Sequence, residues 1–93
     1  MVLSIALKAG DNSVQRGREI VVANCAGCHA IGATGDSPLA MAPPFRIIHQ
    51  RYPVESLAEA LAEGIVTGHA EMPQFVFESP QIEDLIHYLE SLE

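Results

Sequence analysis

Ninety-three residues are enough for one compact domain and too few for two. With 48% hydrophobic and 18% charged residues, the chain is too apolar for disorder and has no uncharged run long enough to cross a membrane. Five Lys and Arg against twelve Asp and Glu leave a net charge of -7, which repels nucleic acid and anionic lipid and argues against both as partners.

In chain order, Met1 to Leu7 form a short apolar stretch with no basic residue ahead of it and no convincing small-x-small cleavage site, unlike an intact signal peptide. Gly10-Asp11-Asn12 reads as a turn. Residues 1–12 are therefore expected to be an N-terminal extension to a domain over 13–93, whose first helix starts at Val14 with Asn12 or Ser13 as its cap. Val14, Gly17, Val21, Cys25 and Cys28 recur at intervals of three and four and share a face, while Gln15, Arg18, Glu19 and Asn24 fall on others.

From Ala30 to Pro53 the density of Gly and Pro excludes a long helix or a central strand. A structured loop is expected there, with a short helical turn through Phe45 to His49, and loops of such length often wrap a ligand. A second helix fits Val54 to Glu63, with Val54, Leu57, Ala58, Leu61 and Ala62 on one stripe and Gly64 or Gly68 to end it. Another loop, Thr67 to Glu78, carries His69, Met72 and Pro73. The last helix opens with Ser79 as cap and Pro80 at its first position. Ile82, Leu85, Ile86, Leu89 and Leu92 face inward, and Glu83, Asp84, His87 and Glu90 face water. No strand alternation and no repeat appears, so the fold class is all-α, three main helices joined by long loops.

The chemistry concentrates at Cys25-Ala26-Gly27-Cys28-His29. This is C-x-x-C-H, the attachment sequence of a c-type haem: two thiols about one helical turn apart can each add to a vinyl group of one porphyrin, and the next side chain is a histidine able to turn onto the iron. A redox disulfide would want a βαβ setting, and zinc would want a second ligand pair; the chain offers neither. The scarcity of large core side chains, five aromatics and no Trp, agrees with a bound group taking their place.

Gly17 to His29, then Ala42-Pro43-Pro44-Phe45, then Met72-Pro73, then Asp84 to Leu89 together resemble the small soluble class I c-type cytochromes of bacteria in order and approximate spacing. The resemblance covers about residues 13 to 93. Val21 stands where that family usually has an aromatic, and Ala42-Pro43 replaces its Gly-Pro. It implies long loops and three main helices wrapped around one haem c, bound covalently through Cys25 and Cys28. It also implies that the Pro43 carbonyl accepts the N–H of His29, and that Gly17 lets the first and last helices approach at Leu85 and Tyr88.

A second axial ligand that is a thioether would favour the ferrous state. Met72 is the expected one: it lies in a loop well separated from His29, at the position matching the family's sixth ligand. Met1 is terminal, Met41 belongs beside Pro43 on the His29 side, and His69 is the rival on the same loop. His49 and His87 read as surface residues.

The expected function is a one-electron carrier, not an enzyme, since no nucleophile motif or phosphate loop is present. The alternatives are the haem-bearing subunit of a larger dehydrogenase or reductase, and an open-site haem enzyme or gas sensor. Expected partners are larger redox proteins, basic where they dock, met by a monomer that does not insert into membranes. The resemblance implies the periplasm, with the export signal absent from this chain.

Overall fold

The computed structural model describes residues 2–51, 53–64 and 75–93, and side chains from Asn12 onward. Helix α1 spans Val2–Asn24; a 3-10 turn at Phe45–Ile47 leads into a one-turn α2 at Ile48–Arg51; α3 spans Val54–Glu63 and α4 spans Ser79–Ser91. Among the described residues there is no strand, and the fold is all-α.

The core is built where α1 and α3 pack on α4. Val21 is fully buried, and Leu85, Tyr88 and Leu89 from α4, Phe45 and Ile48 from the middle segment, and Val54 and Leu61 from α3 close around it. Each helix contributes the positions that recur at three and four, so one stripe per helix is removed from water. Gly64, at φ 82°, ends α3 in a backbone conformation that favours glycine, as expected from its position. Leu57 and Ala58 are partly buried on the expected stripe, but Ala62 at its end is exposed. The short helical turn expected at Phe45 to His49 is present, and His49 is exposed.

Gly17 sets the distance between α1 and α4. A Cβ there would lie 2.0 Å from the carbonyl oxygen of Asp84 and 2.9 Å from Cβ of Tyr88, closer than real atoms come. Glycine is required because the backbone of α4 occupies the space of a side chain.

Three local expectations are corrected. The first helix does not begin at Val14: α1 runs unbroken through Gly10-Asp11-Asn12. One glycine inside a helix costs only about 1 kcal/mol relative to alanine, and Ser13 spends its hydroxyl on α4 instead of on a cap. The cap of α4 is Glu78, not Ser79; Gln81 Oε1 accepts the Glu78 N–H at 2.9 Å in a capping box, and Pro80 sits within the first turn, where its missing N–H costs nothing. Asp84 and His87 do not face water.

Asp84 is buried, and His87 is half-buried, because α1 presents matching groups to them. Ser13 Oγ donates to Asp84 Oδ1 at 2.8 Å, and Arg16 reaches the same carboxylate with Nε at 2.9 Å and Nη2 at 3.2 Å. Ser13 gives its one proton to the carboxylate, which can only accept, so His87 Nδ1 is the donor in its contact with Ser13 Oγ. Hydrogen bonding from Arg16 holds the Asp84 carboxyl below its ordinary pKa, against the opposing effect of burial, with Ser13 adding to the lowering.

Two measurements follow from this contact. Gly17→Ala should force the helices apart and destabilise the fold by about 1–3 kcal/mol or more, as overpacking does, read from chemical denaturation. Because the folded pKa of Asp84 is depressed, its contribution is present above the unfolded carboxylate value of about 3.9 and is lost as pH falls through the lower folded value. Asp84→Asn should therefore be less stable than wild type at pH 7, and the gap should close below about pH 4; a gap independent of pH would contradict the pairing.

Candidate functional site

The C-x-x-C-H segment sits on the turn that closes α1. The amides of Cys25 and Ala26 both donate to the Val21 carbonyl, at 2.8 and 3.1 Å, and those of Cys28 and His29 both donate to the Cys25 carbonyl, at 3.2 and 2.9 Å. The backbone thus keeps a helical sense past Asn24, and Cys25, Cys28 and His29 project from about one further turn. Cys25 and Cys28 are free, half-buried thiols. Burial, and secondarily the neighbouring Cys28, pushes the Cys25 thiol up to about 11, so it stays protonated at neutral pH.

The loop that follows folds back on the motif. Leu39 N–H donates to the Cys28 carbonyl at 3.0 Å, Phe45 N–H to the Ala30 carbonyl at 2.9 Å, and the Ala30 N–H to Ser37 Oγ at 2.9 Å. Tyr88 of α4 donates its hydroxyl to the Ile31 carbonyl, tying the loop to the C-terminal helix.

These ties bring the Pro43 carbonyl 2.8 Å from His29 Nδ1, and the Phe45 ring against the imidazole at 4.8 Å between centroids. A proline carbonyl can only accept, so Nδ1 carries the proton and Nε2 is the nitrogen left with a free lone pair for a metal. One further feature was invisible in the residue pattern: Arg46, next to Phe45, holds Nη1 buried without a hydrogen-bond partner. Met41, on the same loop, is 72% exposed. Met72 and His69 lie outside the described residues.

Two free thiols one turn apart, an imidazole with its tautomer set, and a buried guanidinium nitrogen with no partner among the described residues fit an iron porphyrin with carboxylate side chains. Among the described residues no group of three or more His, Cys, Asp or Glu is placed to hold a bare metal ion, as a zinc site would need. An all-α shell carrying C-x-x-C-H at a helix end defines a covalent haem protein. The family model described as Cytochrome c matches residues 14–93, and the chain belongs to the cytochrome c family. Its domain binds haem c covalently, and Cys25 and Cys28 fit the attachment motif. No curated protein and no solved structure matches the chain. The family's members are in general electron carriers that meet redox partners, and among the described residues no helix is long and apolar enough to cross a membrane.

Gly17, Leu85 and Tyr88 are where the sequence put them, in the contact between α1 and α4. The polar group of Ser13, Arg16, Asp84 and His87 was missed. Its only signal was a Ser and an Arg three apart on α1 opposite an Asp and a His three apart on α4, which takes the helix pairing to interpret.

Replacing Cys25 and Cys28 together with Ala should abolish covalent attachment. Denatured, gel-separated wild type from a maturation-competent host should stain for haem, and the double variant should not; stain retained in the variant would refute the attachment residues.

Proposed function

We propose that this chain is a one-electron carrier whose haem iron is held between His29 and Met72. When bound, the haem supplies exchange of a single electron between ferrous and ferric iron. The observation that carries the reading is the 2.8 Å contact between His29 Nδ1 and the Pro43 carbonyl. It orients the imidazole, fixes its tautomer, and raises the basicity of Nε2, which is what an axial ligand requires. Phe45 against the ring restricts its rotation.

Met72 is the second ligand in this reading, on the strength of its place in the sequence directly before Pro73 and the family to which the chain belongs. Met72 would supply a thioether, which raises the potential relative to a second imidazole and would leave no position for an external ligand. Covalent attachment suits a carrier, which must keep its cofactor through repeated encounters.

The net charge of -7 favours partners that are basic where they dock, larger redox proteins met through small transient interfaces of under about 1,200 Å², with association slowing as salt rises. The working form is a monomer located in the periplasm, with residues 1–12 an extension to the domain over 13–93.

Met72→Ala should lower the reduction potential by a sizeable part of the ~0.8 V range over which axial ligands act. It should also remove the weak near-red band of thioether ligation and open the ferrous protein to carbon monoxide. The same losses on Met41→Ala, with Met72→Ala silent, would overturn the ligand assignment. Wild type that binds carbon monoxide readily would point instead to an open-site sensor or enzyme.

A further inference from the structure

Between α3 and α4 runs an open groove of about 430 Å³. It is apolar at the bottom, where Ile82 and Ile86 are buried and where Ala58 and Ala62 are too small to fill the space between the helices. Ala62 lies on the apolar stripe of α3 and is nevertheless exposed there.

The edges of the groove are acidic. Glu59 from α3 and Glu83 and Glu90 from α4 line it and are exposed, while none of the chain's five Lys and Arg lies in it. None of these three carboxylates is in an ion pair among the described residues, where Arg16 pairs with Asp84. His87, also in the lining, has its Nδ1 proton engaged by Ser13 Oγ of α1. From Glu83 to Glu90 the edge rises roughly 10 Å, about two helical turns.

An apolar trough of that length with negative charge on both sides is complementary to an amphipathic helix flanked by Lys or Arg. The apolar face of such a helix covers Ile82 and Ile86, and its cations meet the glutamates. A second copy of this chain is a poor occupant, because it brings the same net charge of -7. Anionic lipid is repelled for the same reason.

We propose that the groove between α3 and α4 docks a basic amphipathic helix of a protein partner. This rests on the carrier reading for the kind of partner, a redox protein, and adds the face on which it is met. No residue of the groove belongs to the C-x-x-C-H turn or to the loop bearing Pro43 and Phe45. Holding the partner and holding the haem therefore fall to separate residues, and each can be altered by itself.

The test titrates the haem-loaded ferrous protein with a synthetic amphipathic helix of Leu and Lys, and with a scrambled peptide of the same composition, following backbone amide shifts by NMR. The amphipathic peptide should move the amides of α3 and α4 along the groove, with affinity falling as salt rises. The scrambled peptide, equal in charge, should bind about tenfold more weakly, since it cannot cover the apolar floor while its charges meet the edges. Glu59→Gln, Glu83→Gln and Glu90→Gln combined should lower the affinity about tenfold, each exposed pair contributing little alone. Ala62→Lys, which puts a long cationic side chain into the groove from an exposed position, should abolish binding. Equal binding of the two peptides, shifts centred on the C-x-x-C-H turn, no binding, or a triple variant that binds as wild type overturns the proposal. The same amides shifting with protein concentration alone would assign the groove to a second copy and overturn it too. Wild type that stains for no haem overturns the carrier reading instead, whatever the peptide does.

Discussion

The close approach of α1 to α4 at Gly17 governs everything else in this molecule. With 2.0 Å from a would-be Cβ to the Asp84 carbonyl oxygen, the two backbones are as near as they can be, and Val21, Leu85, Tyr88 and Leu89 are buried as a result. Burial of these side chains removes apolar surface from water, the main favourable term in folding. The contact also carries its own polar fastening. Ser13 and Arg16 satisfy the Asp84 carboxylate, which would otherwise be an unpaired charge between helices. That fastening specifies register: a slip of one residue along either helix would break the hydrogen bonds and put a side chain where Gly17 stands.

From this base the structure reaches the haem motif by two routes. Along the chain, α1 continues into the turn that displays Cys25, Cys28 and His29. Through space, Tyr88 of α4 holds the Ile31 carbonyl, and the loop it steadies carries Pro43, Phe45 and Arg46 back over the motif. The imidazole is therefore positioned by a backbone carbonyl and a packed ring instead of by other titratable groups, which suits the ligand role proposed for it.

The readable parts of this chain were those with a local cause. A five-residue motif needs only its own spacing, the stripe of α4 needs only its period, and the Gly and Pro content of residues 30–53 rules out regular structure by steric argument. Pro43 as the acceptor for His29 came from a family likeness, and the distance between the two agrees with it. What went unread depended on which elements meet. Asp84 and His87 sit on the polar side of α4 by composition, and only the arrival of Ser13 and Arg16 turns that side inward. The start of α1 was misjudged for the same reason: Ser13 resembles a cap until its hydroxyl is found bonded across the interface. Arg46 drew no reading at all, because burial of a single nitrogen has no signature in residue order.

The two helices that meet at Gly17 stand at opposite ends of the polypeptide, α1 at Val2–Asn24 and α4 at Ser79–Ser91. Closing so wide a span costs chain entropy before any contact rewards it. A polypeptide emerging N-terminus first thus exposes its two sulfurs well before the segment that will shelter their surroundings has been synthesised. A chain whose thirteen-residue α4 has not yet docked leaves the turn bearing Cys25 and Cys28 without the neighbour that anchors its loop through Tyr88 and the Ile31 carbonyl.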